Sequence, residues 1–433
     1  MNIFISGIGG VGMGAVALLA RDDGHSVIGS DVAHSLTTKE VEDSHIKVFY
    51  EQTAELLQQI HTEQKIDWYL YTSALPDNHP ELLAAKNLGI RTSKRDEFVN
   101  YFVKKHNLKL LAVAGTHGKT TTSAMLAWSF LELNEPISYL LGSQVAWGAS
   151  GRHQPGSEYF VYECDEFDRN FLQFKPYLSI ITSLEYDHPD TYPTRDSYKS
   201  AFRQFIDQSD SVIIWNSDND WLSGSGINTL VLSDDPLQFN LYGIHNRRNA
   251  TLAEKGLERI NIGDRTERKW ALDSFPGVYR RFEKLADNLY SDYGHTPTEI
   301  MATLQLASEV ADNIMLIYQP HQNIRQHEMR NEYTDKVFTN ASEVYWLATY
   351  LTRENPELSV LSAEDLTSLL TKTIVRYAEL NDKLWEKIRS ARENGSLVLC
   401  MGAGSIDRWV RGRVNDDGDS GISYGVGATS DTQ

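Results

Sequence analysis

Cysteine is nearly absent from this chain: there are two in 433 residues, Cys164 and Cys400, each inside or beside an apolar run. Two thiols cannot build a disulfide scaffold, so both are expected to be small core residues of an intracellular protein. Positive charge is also scarce, with 41 Lys and Arg against 59 Asp and Glu and a net charge of −18. That balance argues against a nucleic-acid polymer as partner, because a phosphate backbone needs a cationic surface. No apolar run approaches the roughly 20 residues needed to cross a bilayer. The chain opens directly on Ile3-Phe4-Ile5 without a basic n-region, so neither a signal peptide nor membrane insertion is expected, and the cytoplasm is the expected compartment. What is present, 41% hydrophobic and 23% charged residues, is the composition of an ordinary folded protein. At about 150 residues per domain, the length predicts about three domains.

Strand and helix signals alternate along the chain. Residues 3–6 form a short apolar run ending in a glycine cluster, and 13–20 are alanine-rich, as suits a helix on a sheet. Strands are expected at 27–30, closed by Asp31, and at 69–73, and such alternation points to parallel sheets. The polar stretch Lys104-Lys105-His106-Asn107 marks a boundary. A new strand, 110–114, then leads through a glycine turn into a helix over 119–133, with Ala124, Trp128 and Leu131 on one face. Further strands are expected at 159–163, 178–182 and 212–215 and, beyond a second boundary near 271, at 289–292, 315–318, 344–347 and 397–401. The expected division is 1–107, 108–271 and 272–413. Residues 414–433 are rich in Gly, Ser and Asp with few large apolar side chains, and are expected to be a disordered tail. No internal repeat is visible.

Two glycine-rich loops carry the chemistry. Gly7-Ile8-Gly9-Gly10-Val11-Gly12 matches G-x-G-x-x-G between a strand and a helix, where glycines admit a phosphate to the backbone and the helix N-terminus supplies N–H donors. Asp31 stands where a nicotinamide-binding fold places its ribose-binding acid. Alone, this loop fits an NAD-dependent dehydrogenase as well as another enzyme gripping a nucleotide diphosphate. The second loop, Gly115-Thr116-His117-Gly118-Lys119-Thr120-Thr121, is the short G-x-x-G-K-T form of a P-loop, since residue 113 is Val. Its backbone would surround phosphate, Lys119 would neutralise the β/γ charge and Thr120 would reach Mg²⁺. A dehydrogenase has no use for it. Two acidic clusters follow at expected strand ends, 163–168 and 185–188. Ligands gather at the carboxyl ends of parallel strands, and carboxylates there suit a hard divalent cation.

The ordered set GIGGVGMG (7–14), GSD (29–31), AGTHGKTTT (114–122), ECDEFD (163–168), EYDHPDTY (185–192), HNRRNATLA (245–253), GVYRRFE (277–283), SDYGHTPTE (291–299), YQPHQNIR (318–325) and GAG (402–404) resembles the Mur ligases of peptidoglycan synthesis over roughly residues 1–410. The resemblance implies an α/β, three-domain architecture: a Rossmann-like N-terminal domain for the UDP-sugar, a P-loop ATPase domain, and a Rossmann-like C-terminal domain that brings the amino acid. It implies ATP-dependent joining of L-alanine to the carboxylate of UDP-N-acetylmuramate through an acyl phosphate, with ATP and Mg²⁺ as cofactors and small molecules as partners. Whether the chain is a monomer or a homodimer is left open.

By the same resemblance, Gly9, Gly10, Gly12 and Met13 would line the UDP-sugar, with Ser30, Asp31 and Ser73 nearby. ATP would meet Gly115, Thr116, His117, Gly118, Lys119, Thr120 and Thr121. His245, Asn246 and Asn249 match an H-N-x-x-N element at adenine. Arg281 would reach the γ-phosphate and Asp292 the ribose. Thr120, Glu163 and His188 would place the metal, with removal of the amine proton a second role for His188. His295, His321 and Arg325 match positions near the muramyl carboxylate and the amino acid, and the expected catalytic set is Lys119, His188, Arg281 and His295. The chain departs from the family pattern at Thr296, which stands for a second histidine, at Gln322, which stands for an arginine, and at Cys164, which stands for an alanine. Phe202 or Arg203, not Lys199, occupies the position where some members carry a carbamylated lysine. The alternatives are a ligase that joins murein tripeptide to the same sugar nucleotide, an NAD-dependent dehydrogenase, and an inactive UDP-sugar-binding relative.

Overall fold

The structure, a computed structural model, describes residues 1–188, 191–222, 228–352 and 354–418. Eighteen strands form three sheets among these residues. The first sheet comprises β1 (Asn2–Ser6), β2 (Ser26–Ser30), β3 (Lys47–Phe49), β4 (Trp68–Tyr71) and β5 (Arg91–Lys94), all parallel, in the order β3-β2-β1-β4-β5. Ile3, Phe4 and Ile5 are fully buried, as a central strand covered on both faces requires. The chain winds to opposite sides of β1, so the switch point where ligands bind in such sheets lies just past Ser6, where the first glycine loop begins.

The second sheet comprises β6 (Lys109–Ala114), β7 (Ser138–Leu140), β8 (Gly151–Arg152), β9 (Tyr159–Glu163), β10 (Leu178–Ile181), β11 (Ser211–Trp215) and β12 (Asn228–Leu232), in the order β12-β11-β10-β6-β9-β7-β8. Only the β7–β8 pair is antiparallel. The switch point falls at β6, between β10 and β9, so the second glycine loop leaves the sheet flanked by the ends of the two strands that lead into the acidic clusters. The third sheet comprises β13 (Glu283–Ala286), β14 (Leu289–Asp292), β15 (Ile314–Tyr318), β16 (Glu343–Trp346), β17 (Val375–Tyr377) and β18 (Leu397–Met401), in the order β13-β14-β18-β15-β16-β17. It is parallel apart from the β13–β14 hairpin.

The chain sorts into two compact units. One holds Met1–Pro236 and Asn249–Leu272, and so both of the first two sheets; the other holds Leu237–Arg248 and the chain from Asp273 onward. Within the first unit the sheets are joined by close backbone contact and buried charge. A Cβ on Gly151 would overlap the carbonyl of Ala15 in the helix Val11–Asp22. Glu40 accepts the Ser150 N–H at 2.7 Å, and Asp22 accepts the His153 N–H at 3.2 Å. Lys105 Nζ stands 2.8 Å from each oxygen of Asp23, which also meets His106 at 2.8 Å and His25 at 3.1 Å. Burial works against the Asp23 charge, but Lys105 and His106 outweigh it and lower its pKa.

Three expectations need correction. The helix Lys119–Glu132 does not bury an Ala124–Trp128–Leu131 face: Trp128 and Leu131 are half-buried, whereas Thr120 to Ala127 are buried all round, because layers cover this helix on more than one side. The last helix, Ile406–Asp416, runs past 413 with Val414 buried, so residues 414–416 are helical. Residues 419–433, the rest of the expected tail, lie outside the described residues. Seven strands were not expected, among them β3, β5 and β17, which are short edge strands without an apolar run. Cys164 and Cys400 are both buried and unbridged.

Candidate active site

The first loop turns at Gly7 (φ +75°), a conformation that favours glycine. The Gly7 and Ile8 N–H groups donate to Ser30 O at 2.8 and 3.0 Å, tying the turn to the end of β2. Asp31 accepts the Gly9 N–H at 2.8 Å, and a Cβ on Gly9 would press on that carboxylate. Gly9, Gly10, Gly12 and Asp31 thus sit together at the loop, beside the first turn of the helix Val11–Asp22, whose N–H groups are the natural anion donors. Ser73 is exposed beyond β4.

Two residues expected at this loop are instead interior. Met13 is buried in the hydrophobic core. Ser30 is fully buried and donates to Glu81 Oε2 at 2.9 Å, beside Ser6 at 2.6 Å. Burial raises the Glu81 pKa against these donors. The Ser30 hydroxyl is committed to a buried carboxylate, and only its carbonyl serves the loop.

The second loop is held open by its neighbours. Gly115 (φ +131°) and Gly118 (φ +84°) take conformations that disfavour side chains. A Cβ on Gly118 would lie 2.5 Å from Asn249 Oδ1, so Asn249 lies directly against the loop. Ser183 accepts the Thr116 N–H at 2.9 Å and, through Oγ, the His117 N–H at 3.0 Å. The Thr116 hydroxyl donates to Glu185 O at 2.8 Å and lies 3.1 Å from Tyr198 Oη, while His117 Nε2 stands 3.3 Å from Glu185. The segment after β10 is therefore wound onto the loop. Thr120 and Thr121 follow on the first turn of the helix, both buried.

Lys119 points back across this loop. Its ammonium donates to Gly115 O at 2.6 Å and to Glu166 at 2.8 and 3.1 Å. Its side chain is 13% exposed and that of Glu166 is 0% exposed, so this is a buried ion pair. Burial works against the Lys119 charge, but Glu166, Asp165 and Glu163 outweigh it and hold its pKa above the ordinary value. Burial raises the Glu166 pKa against the pull of Lys119. Asp165, although burial opposes its charge, is brought below the usual range by Lys119, the Phe167 N–H and Arg95.

His188 completes the group from the far side. Its backbone is left-handed (φ +57°), an uncommon state for a non-glycine residue, and its N–H donates to Asp187 Oδ1 at 2.7 Å. Its ring meets Phe167 edge-on at 5.3 Å, with Nε2 3.8 Å from Glu166. Ligand atoms of Asp165, Glu166 and His188 lie within 4.8 Å of one another, an oxygen-rich set that suits a hard divalent cation. Glu163, the acid expected to hold metal, ends β9 two residues before Asp165 and lies against Gly142, whose missing Cβ makes room for its carboxylate. Asp165 and Glu166 escape a reading of the sequence that ranks the cluster's first acid highest; their signal is only that acids recur through 163–168. Pro189 and Asp190 lie outside the described residues. Phe202 is buried in an aromatic group with Phe171 and Tyr198, and Lys199 lies over Trp221.

In the second unit a further group gathers around Arg281. Its guanidinium lies over Tyr293 at 5.2 Å, and its charge acts on His245, Asp292 and His295. Asp292 is not aimed outward: its oxygens accept the Phe282 N–H at 2.8 Å and the Gly294 N–H at 2.7 Å, and burial raises its pKa. This is the geometry of a carboxylate shaping the 280–294 turn. Asn246 is buried and donates to Tyr242 O at 3.0 Å. His295 meets His321 edge-on at 5.6 Å, His321 stacks on Tyr350, and the Arg325 charge bears on both histidines. Burial, then His295 and Arg325, push His321 down to about 4. A buried chain that sequence reasoning missed, Tyr318 to Tyr333 at 2.9 Å and Tyr333 to Gln326 at 2.8 Å, spans from the His295 carbonyl to the His321 carbonyl and fixes both backbones. Thr296 caps the helix Pro297–Ser308 in a reciprocal box with Glu299, and Gln322 (φ +60°) begins the helix Asn323–Met329. Both departures from the family pattern therefore serve helix starts.

His245 gives a pH prediction. Burial, with Arg281, pushes its pKa down to about 4, and its Nδ1 is buried without a partner among the described residues. The unfolded chain, with an ordinary histidine pKa near 6.5, takes up this proton first. Stability is therefore present above pH 6.5 and lost as pH falls toward 4, by about 2 kcal/mol at pH 5. Urea unfolding at pH 7 and pH 5 checks this: H245Q should shrink the difference by about that amount, leaving the share His321 contributes, and an unchanged pH dependence would refute it.

Two glycine-rich loops of phosphate-binding form at the switch points of two mostly parallel sheets, and a third mostly parallel sheet in the second unit, define a multidomain α/β protein of the nucleotide-binding class. Three successive family profiles match the chain: the Mur ligase family, catalytic domain, over residues 2–107; the Mur ligase middle domain over 113–251; and the Mur ligase, glutamate ligase domain, over 280–404. The chain belongs to the Mur ligase family. Its relatives include the UDP-N-acetylmuramate--L-alanine ligase of Carboxydothermus hydrogenoformans, 31% identical over 445 residues and covering 93% of each chain. That of Christiangramia forsetii is 31% identical over 94% of this chain and 96% of its own. Among solved structures, UDP-N-acetylmuramate-alanine ligase from Thermotoga maritima aligns with a TM-score of 0.79 and 27% identity, over 96% of this chain and 99% of that one. A murein peptide ligase from Psychrobacter arcticus, at TM-score 0.67 and 23% identity, shares the fold.

Proposed function

We propose that the chain joins L-alanine to the carboxylate of UDP-N-acetylmuramate at the expense of ATP, as a step in peptidoglycan precursor synthesis in the cytoplasm. The observation that carries this reading is the second loop, where a buried lysine lies beside converging carboxylates and a histidine at the switch point of a parallel sheet. The relatives, matched along nearly their whole length, supply the substrates. Among the described residues no helix is long and apolar enough to cross a membrane.

In this mechanism the lactyl carboxylate oxygen attacks the γ-phosphorus, ADP leaves, and an acyl phosphate forms. The amine of alanine then attacks the acyl carbon, phosphate leaves, and the amine gives up a proton. Lys119 exchanges its bond to Glu166 for the β/γ-phosphate oxygens and meets the charge that grows there. Gly115, Thr116, His117, Gly118, Thr120 and Thr121 form the phosphate cradle, with Asn249 beside it and His245 and Asn246 for the adenine. Arg281, without a side-chain hydrogen bond among the described residues, meets the γ-phosphate. His295, His321 and Arg325 orient the carboxylate and alanine. Mg²⁺, which Thr120, Glu163 and His188 would hold with Asp165 and Glu166 beside them, supplies charge neutralisation of the phosphates when bound. His188 would also take the amine proton.

The test is phosphate release by the purified chain with UDP-N-acetylmuramate, ATP and Mg²⁺. Release should depend on L-alanine, in preference to glycine, serine or free murein tripeptide. Release that ignores alanine, or that answers only to the tripeptide, would sink this reading, the latter in favour of the recycling ligase.

A further inference from the structure

Arg95 belongs to neither loop and to no acidic cluster, yet it lies between the first loop and the acids that follow β9. It opens the helix Arg95–Lys105, directly after the carboxyl end of edge strand β5. That is the end of the first sheet where its ligand should lie. A Cβ on Gly12 would collide with its Nη1, so the guanidinium lies against the first turn of the helix that follows the first loop. On its other side it faces the Tyr162 ring at 5.8 Å, and its field is shared with Asp96, Asp165 and Glu163. The side chain is only 23% exposed, and its one ion pair among the described residues is a long 3.5 Å approach to Asp96. Asp96 is itself taken by the Tyr162 hydroxyl.

No hydrogen bond satisfies the guanidinium among the described residues, although five N–H donors in a fixed fork are costly to leave idle in a largely buried place. Neighbouring Lys94 is committed to Asp168, which anchors the strand end and holds Arg95 in position. The first loop offers backbone donors but no cation of its own. Asp31 holds the loop, and Glu163 and Asp165 bear on Arg95 from the other side, in a chain of net charge −18. A diphosphate entering there needs a local counter-charge.

We propose that Arg95 is a substrate-binding residue whose guanidinium takes the diphosphate of the sugar nucleotide at Gly12. It rests on the reading above that the first loop binds UDP-N-acetylmuramate. The residue touches substrate in the first sheet's site and faces the acids of the second, so its guanidinium offsets part of the negative field that Glu163 and Asp165 would set against an incoming diphosphate. A planar fork suits two phosphate oxygens at once, which an ammonium cannot match.

The experiment is calorimetric titration of the full chain with UDP-N-acetylmuramate and, separately, with UDP-N-acetylglucosamine, which has the diphosphate but no lactyl carboxylate. R95A should weaken both by the same factor, about ten- to one-hundredfold, while R95K recovers part of the loss. In the ligation assay KM for the sugar nucleotide should rise while KM for ATP stays unchanged, a split that loss of fold would not produce. Unchanged affinity in R95A overturns the proposal. So does a loss confined to UDP-N-acetylmuramate, which would put the guanidinium on the carboxylate, or an equal rise in the KM for ATP. If the wild-type chain binds neither sugar nucleotide, the parent reading falls and takes this one with it; if it binds both and R95A binds them equally well, only this one falls.

Discussion

K119A should reduce alanine-dependent phosphate release by at least about a thousandfold, since the lysine meets charge that develops in the transition state. UDP-N-acetylmuramate binding should survive, because its loop follows β1 in a different sheet. The same substitution should also cost stability. Glu166 is 0% exposed and Lys119 is its ion-pair partner at 2.8 Å, and breaking a buried pair from one side leaves a stranded charge worth about 3–5 kcal/mol. The double variant K119A/E166Q separates the two effects. It should regain most of the unfolding free energy and none of the turnover. Recovery of turnover in the double variant would show that Lys119 serves Glu166 rather than ATP.

The second large effect is structural. G151A places a methyl group on the Ala15 carbonyl, backbone against backbone, where no side chain can swing aside. Overpacking of this kind, with rigid atoms on both sides, should cost about 3 kcal/mol or more. The loss falls on the joint between the first two sheets, where Glu40, Asp22 and the Asp23 cluster also converge. Thermal unfolding reads it directly. An unchanged midpoint would mean that the helix Val11–Asp22 and strand β8 do not meet as described.

Much of this architecture was legible because the central strands are written in runs of apolar residues. Residues 159–163 and 397–401 read as strands at their observed limits, since a strand buried on both faces tolerates little else. Edge strands carry no such signature. β5 reads Arg-Thr-Ser-Lys, polar throughout with only Ser93 buried, and is a strand because β4 offers it a ladder. That is also why Arg95 was silent: its place depends on a strand that hydrophobic pattern does not announce.

The sites divide the same way. Glycine spacing and a neighbouring lysine identified both loops, because a phosphate cradle is built from consecutive backbone groups and so survives in the linear order. Which acid faces Lys119 did not, since Glu163, Asp165 and Glu166 differ by one to three positions, and only the turn after β9 decides which carboxylate points inward. Met13 and Ser30 look like loop residues in the chain and are interior in the fold, one in the core and one bound to Glu81 from a distant helix.

The sequence by itself determined the phosphate loops, the central strands and the family, all of which depend on residues adjacent in the chain. The tertiary structure alone decided the Lys119–Glu166 pair, the Tyr318–Tyr333–Gln326 chain and the place of Arg95 between Gly12 and the acidic cluster after β9. These are contacts between residues 7 to 83 positions apart, and burial and charge pairing across such separations exist only once the sheets have assembled.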